Sequence, residues 1–398
     1  MSRNNISKTI CMIAMASYPG DPRIRRQAEA LGKAGFEVDV LCRYSGKQPP
    51  KQTFGNVTAY RIMNAPPREN KIIYFLQSVL FLIVTFFRLL PLSIKRKYKV
   101  IQAHNLPDYL IFVGIFHKIF GVKLILDIHD PSVDLFEEKW PGKNNNIFKY
   151  LIKISERYSC KLSDHLITVT SMCKEKLVER GNPSNKITLI LNTANETIFA
   201  FNKHRNFTII TEGVKILYYG TIAERQGLHY AVKAMEYLLK DIPNSSLNIY
   251  GKYEISYRIK LENMINELNL ENNVILHNVI SREQIPDIIN VHDIGIVPHP
   301  CTTYSNLSLP TKAFEYITSG LPVVSTRLES LFKTLNDNCI TYVKNGNPKD
   351  LSEAIKYICL NPDVRKSRTD LAYQAIKEIS GQVMNKRYID LIDKMISS

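Results

Sequence analysis

Lys312 and Glu315 lie three residues apart in the stretch NLSLPTKAFEYITSGLPVVST (306–326), which reads as a loop, a short helix and a buried strand. On a helix that spacing puts an ammonium and a carboxylate on one face, while Ala313, Phe314 and Ile317 turn toward a core. Two kinds of chemistry fit. As a surface ion pair the two would contribute at most about 1 kcal/mol and carry no function. As a ligand clamp, a lysine at a helix N-terminus would meet phosphate, and a carboxylate would accept hydrogen bonds from sugar hydroxyls.

In open α/β sheets ligands bind beyond the carboxyl ends of the strands, so polar residues directly after apolar runs hold the other candidates. After the first run, SYPGDPRIRRQAEALGKAGFEV (17–38) offers Gly20, either a plain turn glycine or a point of close ligand approach. Asp21 caps the helix that follows, Pro22 suits its first turn, and Ile24, Ala28 and Leu31 form its buried stripe. Arg23, Arg25 and Arg26 face an anion or solvent. AHNLPDYL ends another strand with His104, Asn105 and Asp108, and LDIHDP ends the next with Asp127, His129 and Asp130. One strand-end histidine is most often a satisfied structural group, whereas two at adjacent strand ends point toward a site. In YYGTIAERQGLHYAVKAM (218–235) a strand runs into Gly220 and Thr221, then a polar turn with Glu224 and Arg225, then Gly227 and a helix, an arrangement suited to anions.

Other chemistries lack their patterns. There is no GxxxxGK[ST], no GxGxxG after the first strand, no zinc spacing, no catalytic-serine elbow and no DxD cluster in a suitable context. Kinase, hydrolase, NAD-enzyme and metal-dependent transferase readings are weakened accordingly, and neither metal nor cofactor is expected.

The elements that must carry these residues follow from the apolar runs. A chain of 398 residues, 45% hydrophobic, buries a large core in about two or three domains. Strand-like runs alternate with helical patterns throughout, as βα units on parallel sheets require. Six runs in the first half (TICMIAM, EVDVLC, VIQAH, KLILDIH, HLITVT, ITLIL) and six in the second (VKILYYG, SLNIYG, VILH, DIGIVPH, LPVVST, ITYV) flank an aperiodic stretch near 195–213, read as a connection between two Rossmann-like domains. GKNNN (142–146) reads as a loop tip. The seven scattered cysteines read as reduced, mostly buried thiols of a cytosolic protein, and no cleavable signal peptide is expected.

A net charge of +15 favours an anionic partner: nucleic acid, an acidic membrane surface or a phosphorylated substrate. No recognised motif or aromatic-interleaved basic patch supports nucleic acid. The apolar stretch from Ile72 to Leu90 carries Gln77, Ser78, Thr85 and Arg88, and its uninterrupted part is short for a spanning helix. With Arg88, Lys95, Arg96, Lys97 and Lys99 beside it, the stretch is a core helix with a solvated basic tail or a helix lying in an anionic membrane surface, with a true spanning helix as the third and least favoured reading.

Taken in order, DPRIRRQAEALGKAGFEVDVL, HNLPDYL, LDIHD, ILNTANETIF, YYGTIAERQGL and LPTKAFEYITSGLPVVST resemble the retaining family 4 glycosyltransferases of GT-B fold, especially bacterial members that build surface polysaccharides or glycolipids. The resemblance implies two Rossmann-like domains with parallel sheets facing a central cleft. Residues 1–200 would form the acceptor-side domain, 213–378 the nucleotide-sugar domain, and 381–398 a helix returning to the first domain. It also implies that Lys312 and Arg225 hold the donor diphosphate, Glu315 accepts from ribose hydroxyls, and His129 contacts the transferred sugar. Gly20, Gly220, Thr221 and Glu224 complete the donor site, and Arg23, His104, Asn105 and Asp130 fall on the acceptor side. The family's first motif glutamate would fall at Leu307, a departure that leaves the holder of the donor sugar hydroxyls open. The expected donor is a nucleotide-diphosphate sugar, UDP before GDP; the acceptor is lipid-linked or an oligosaccharide, at the inner face of the cell membrane. A GT-B sugar-nucleotide epimerase and a non-catalytic membrane-bound scaffold are the rival readings.

Overall fold

The computed structural model describes residues 8–64, 71–140 and 146–397; all of GKNNN except Asn146 lies outside them. Two units divide the chain. The first comprises Met1–Leu191 and Met384–Ser398, the second Asn192–Val383.

The first unit's sheet contains β1 (Thr9–Ser17), β2 (Glu37–Arg43), β3 (Lys51–Phe54), β4 (Val57–Met63), β5 (Val100–His104), β6 (Lys123–Ile128), β7 (His165–Thr168) and β8 (Ile187–Leu189), in the order β3-β4-β2-β1-β5-β6-β7-β8. Every pairing is parallel except β3 with β4. β1 is central, with Ile10 opposite Val38 on one side and Val100 on the other. Covered on both faces, it reads as a continuous apolar run. The β3–β4 hairpin is absent from the apolar-run reading. β3 is half-exposed and polar, and the turn rests on Gly55 at φ +58°.

In the second unit β9 (Lys215–Tyr219), β10 (Ser246–Tyr250), β11 (Val274–His277), β12 (Ile294–Val297), β13 (Val323–Thr326) and β14 (Thr341–Val343) form a parallel sheet ordered β11-β10-β9-β12-β13-β14. The stretch 195–213, expected as a connection, packs on this unit instead. Phe199 is buried, Phe201 stacks on Tyr373 at 4.0 Å, and the Arg205 guanidinium donates to the carbonyls of His292 and Ile289.

The Ile72–Leu90 stretch belongs to one helix, Lys71–Arg96, with Pro91 inside it. Ser78, Phe81, Thr85 and Leu89 face inward, spaced three or four residues apart, and Ser78 Oγ donates to the Phe75 carbonyl at 2.7 Å. The outward face is apolar: Ile73, Leu76, Leu80, Ile83, Phe87 and Ile94 are exposed, Phe87 by 65% and Ile94 by 81%. By length and composition Ile72–Arg96 is long and apolar enough to cross a membrane, although only 22% of its most apolar window is buried in the protein. Beside it, helix Ile115–Ile119 sets Phe116 5.6 Å from Phe86 and exposes Ile119 and Phe120. Arg96 does not belong to the solvated basic cluster. Its guanidinium is drawn inward by Asp39, at 2.8 and 3.1 Å, and by Glu37, whereas Lys95, Lys97 and Lys99 are exposed.

Helix Gly381–Ser397 rejoins the first unit from Met384 onward. The Met384 sulfur accepts from the Leu191 N–H at 3.3 Å, and Tyr388 and Ile392 are fully buried.

Candidate active site

The second unit's order fixes where its site lies. From β9 the chain crosses to β10 on one side, while β12 pairs on the other, so the carboxyl ends of β9 and β12 border a switch point where connections part. Gly220 follows β9, His299 follows β12, and helix Thr311–Thr318 brings Lys312 to both. The Lys312 ammonium lies 3.9 Å above the Tyr218 ring, 3.3 Å from Gln226 Oε1 and 3.5 Å from His299 Nε2. Gly220 is at φ +134°, and a Cβ there would stand 3.2 Å from the same ammonium.

Burial dominates the electrostatics of this pocket. It pushes Lys312 down to about 7, with nearby Arg225 adding to the shift and Glu315 opposing it. It also holds His299 well below its ordinary value, with the Lys312 and Arg225 charges adding to the effect. Such a buried, poorly compensated cation is primed for an anion.

Glu315 is raised by burial, while Tyr219, Arg282 and Lys312 work the other way; the Tyr219 hydroxyl donates to one of its oxygens. Arg225 pairs with Glu254 at 3.2 Å while half-buried. Glu224, expected in the donor site, is exposed and salt-bridged to Lys260 at 2.5 Å. Thr221 is exposed too, its carbonyl accepting from Tyr218. Leu307 is buried at the end of helix Thr303–Leu307, so packing occupies the position of the missing glutamate. Gln226, His299, Tyr218 and Tyr219 were not among the expected residues. His299 ends the DIGIVPH run, where the strand-end rule applied.

In the first unit the equivalent switch point lies between β1 and β5. Asp21 caps helix Pro22–Lys33 through the Arg23 N–H, and burial would raise its carboxyl, but Arg23 at 2.9 Å holds it at about 2. Arg23 also reaches Asp130 at 3.4 Å. A Cβ on Gly20 would meet Ser17 Oγ at 2.4 Å. Asn105 is a loop pin: its amide donates to the Asp130 carbonyl at 2.6 Å and to Asp108, and its oxygen accepts from the His129 N–H at 2.9 Å.

His104 and His129 do form a pair. Their rings are nearly parallel, with Nδ1 of His104 3.1 Å from Nε2 of His129, and both lie within 3.4 Å of Asp127 Oδ2. Burial pushes His129 down to about 4 despite Asp127, with Arg23 and His104 adding to the shift. Asp127 stays below its ordinary value against the opposing effect of burial, because the histidines and Gln27 favour its charge. The three residues offer ligand atoms within 4.8 Å of one another, a spacing a cation could use. Gln27 and Gln102 both donate to Asp127 Oδ2, which directs the group to hydrogen bonding. His104 Nε2 and His129 Nδ1 are buried without a partner among the described residues. Both histidines line a cavity of about 480 Å³ with Asp21, Arg23, Asn105 and Asp130.

Two family models match the chain: Glycosyltransferase Family 4 over residues 23–196 and Glycosyl transferases group 1 over residues 200–378. A relative from Debaryomyces hansenii, named chitobiosyldiphosphodolichol beta-mannosyltransferase, is 25% identical over 85% of this chain and 75% of its own length. Among solved structures, sucrose-phosphate synthase from Thermosynechococcus elongatus superposes with a TM-score of 0.77 at 17% identity, covering 98% of this chain and 99% of its own. Anabaena HepE in complex with UDP and glucose gives 0.70 at 13% identity, covering 97% of this chain and 100% of its own.

Proposed function

The chain belongs to the GT-B glycosyltransferases, and on that premise we propose that it moves a sugar, with retention of configuration and without metal, from a nucleotide-diphosphate sugar to a lipid-linked saccharide in cell-surface polysaccharide or glycolipid synthesis. The observation that carries the donor half is the buried Lys312 ammonium beside Gly220 at the β9/β12 switch point. Diphosphate binding raises the lysine's proton affinity, and the resulting ion pair offsets charge that builds on the departing nucleotide. Arg225 adds a second cation. Glu315, one oxygen held by Tyr219, accepts from the ribose hydroxyls with the other.

The first unit supplies the acceptor half. Asp21 and Asp130 are both tied to Arg23, and Asp108 accepts from Asn105, so these carboxylates of the cavity are already hydrogen-bonded. His129, neutral near pH 7, is a weak base whose unpartnered Nδ1 suits a hydrogen bond to a sugar hydroxyl. These features support a retaining course in which the departing diphosphate oxygen takes the acceptor proton as the new glycosidic bond forms.

The outward apolar face of helix Lys71–Arg96, with Lys95, Lys97 and Lys99 at its end, supports docking on the anionic inner face of the cell membrane. The dolichol named for the Debaryomyces relative supports a lipid-linked acceptor.

A thermal-shift screen of UDP-, GDP- and ADP-sugars tests the donor, since a ligand at 100 times its dissociation constant stabilises by about 2.7 kcal/mol. UDP is expected first and GDP next. Incubation with the stabilising donor alone separates the rival epimerase, which would alter the sugar. The anomeric configuration of the transferred sugar, read by NMR, decides retention; an inverted product would overturn that part. A chain that binds no nucleotide sugar is the scaffold of the third reading.

A further inference from the structure

Two groups of residues line the first unit's cavity. The strand ends bring His104, His129 and Asp130, while Phe136, Trp140, Phe148 and Ile152, with Lys139 and Ser155 among them, come from helices Ser132–Lys139 and Asn146–Leu162 and the residue after the first. Phe75 and Leu151 line the cavity while remaining 45% and 50% exposed, so they mark its mouth. They belong to helices Lys71–Arg96 and Asn146–Leu162, and both helices carry further apolar residues outward: Leu76, Leu80 and Ile83 on one, Ile147, Tyr150 and Tyr158 on the other. Exposed apolar residues on the outer faces of two helices thus adjoin the lining of the cavity that also holds the unpartnered histidine nitrogens.

We propose that the apolar part of this cavity, contributed by Phe136, Trp140, Phe148 and Ile152, is a slot for the hydrocarbon chain of the lipid-linked acceptor, entered from the membrane surface between helices Lys71–Arg96 and Asn146–Leu162. The inference rests on the lipid-linked reading of the acceptor given above and adds where its chain goes. A sugar needs matched donors and acceptors, which a wall of aromatic rings and aliphatic chains does not provide. A hydrocarbon needs only to leave water, and each buried methylene contributes about 0.8 kcal/mol. A chain moving from a bilayer along exposed apolar side chains into the slot avoids crossing water. The head it carries arrives beside Arg23, His104 and His129.

The chain has one tryptophan, Trp140, and it lines the slot, so its fluorescence reports on this cavity alone. The test titrates the full-length protein, without vesicles, with 12-bromododecyl phosphate below its micelle concentration. Saturable quenching of Trp140 is expected. Octyl, decyl and dodecyl phosphate should reverse it, with affinity rising about fourfold per methylene. Leu151→Glu and Phe75→Glu, both at half-exposed positions that tolerate charge in the fold, should weaken quenching about tenfold or more by setting a carboxylate in the mouth. Ile94→Glu, outside the cavity, should leave quenching unchanged while reducing sedimentation with vesicles of phosphatidylglycerol. Absence of saturable quenching, equal competition by inorganic phosphate, or indifference to both mouth variants would overturn the slot. Failure of the glycosyltransferase reading shows separately, as no transfer from any nucleotide sugar by a protein that still binds the quencher.

Discussion

The Tyr388 hydroxyl donates to the Gln102 side-chain oxygen at 2.5 Å within the first unit's core. The Gln102 amide in turn donates to Gln27 at 2.7 Å and to Asp127 at 3.0 Å, so the returning helix is linked through Gln102 to the carboxylate that faces both histidines. Tyr388→Phe leaves a buried acceptor unpaired and should destabilise the first unit by about 1–3 kcal/mol in denaturant. The nucleotide binding proposed for the second unit should be unaffected; equal stability of variant and parent would show that the link carries no weight.

Lys312 gives a pH signature. Its folded value near 7 lies below the ordinary 10.5, so between these values the unfolded chain binds a proton that the folded chain does not. Stability from this group therefore rises with pH through that window, and the burial cost is full below pH 7. Lys312→Met should stabilise the free protein at pH 7, by on the order of 3 kcal/mol, and progressively less toward pH 10.5.

In the proposed donor site the same lysine should tie donor binding to a proton. At pH 8 a bound diphosphate should draw a proton onto Lys312, seen as buffer-dependent heat in titration calorimetry. Lys312→Ala should abolish that uptake and weaken donor binding by roughly 1.5–3 kcal/mol. Equal proton uptake by variant and parent would remove the lysine from the phosphate site.

His129 works in the acid range. Its folded value of about 4 lies below the ordinary 6.5, so unfolding takes up a proton as pH falls from 6.5 to 4 and stability declines there. His165, also pushed to about 4 by burial and neighbouring lysines, acts in the same window. His129→Asn should flatten the decline by on the order of 2 kcal/mol without removing it. Melting temperatures across this range decide the point, an unchanged slope counting against a neutral buried histidine.

The basic cluster separates into two tasks. Reversing Lys95, Lys97 and Lys99 to glutamate should release the protein from anionic liposomes, at about 1 kcal/mol per residue, with the melting temperature held. Arg96→Glu should instead destabilise the fold by about 3 kcal/mol, since it strands the fully buried Asp39. Vesicle binding unchanged by the triple reversal would return helix Lys71–Arg96 to a purely structural role.

The parallel strands were legible because central strands covered on both faces are plain apolar runs, and the cap at Asp21 because its residue types serve one geometry. β3 was not, since its half-exposed polar residues lack a run and its turn depends on Gly55. Arg96 reads like its lysine neighbours because charge in a sequence carries no direction; Asp39 and Glu37, brought beside it by β2, turn it inward. His299 and Gln226 meet Lys312 because β9 and β12 are neighbours, an adjacency no local motif encodes. Asn105 stood where ligand residues stand, yet its hydrogen bonds go to the loop that presents His129.

The discontinuity of the first unit has a consequence for synthesis. Residues from Met384 onward, which supply Tyr388 and Ile392 to that unit's core, leave the ribosome only after all of Asn192–Val383. The contiguous second unit can fold as it emerges, while the first, begun earlier, must wait with part of its core unfilled. Its apolar outer helices are thus exposed longest on the nascent chain, and a ribosome stalled before Met384 would hold a completed second unit and an unfinished first one.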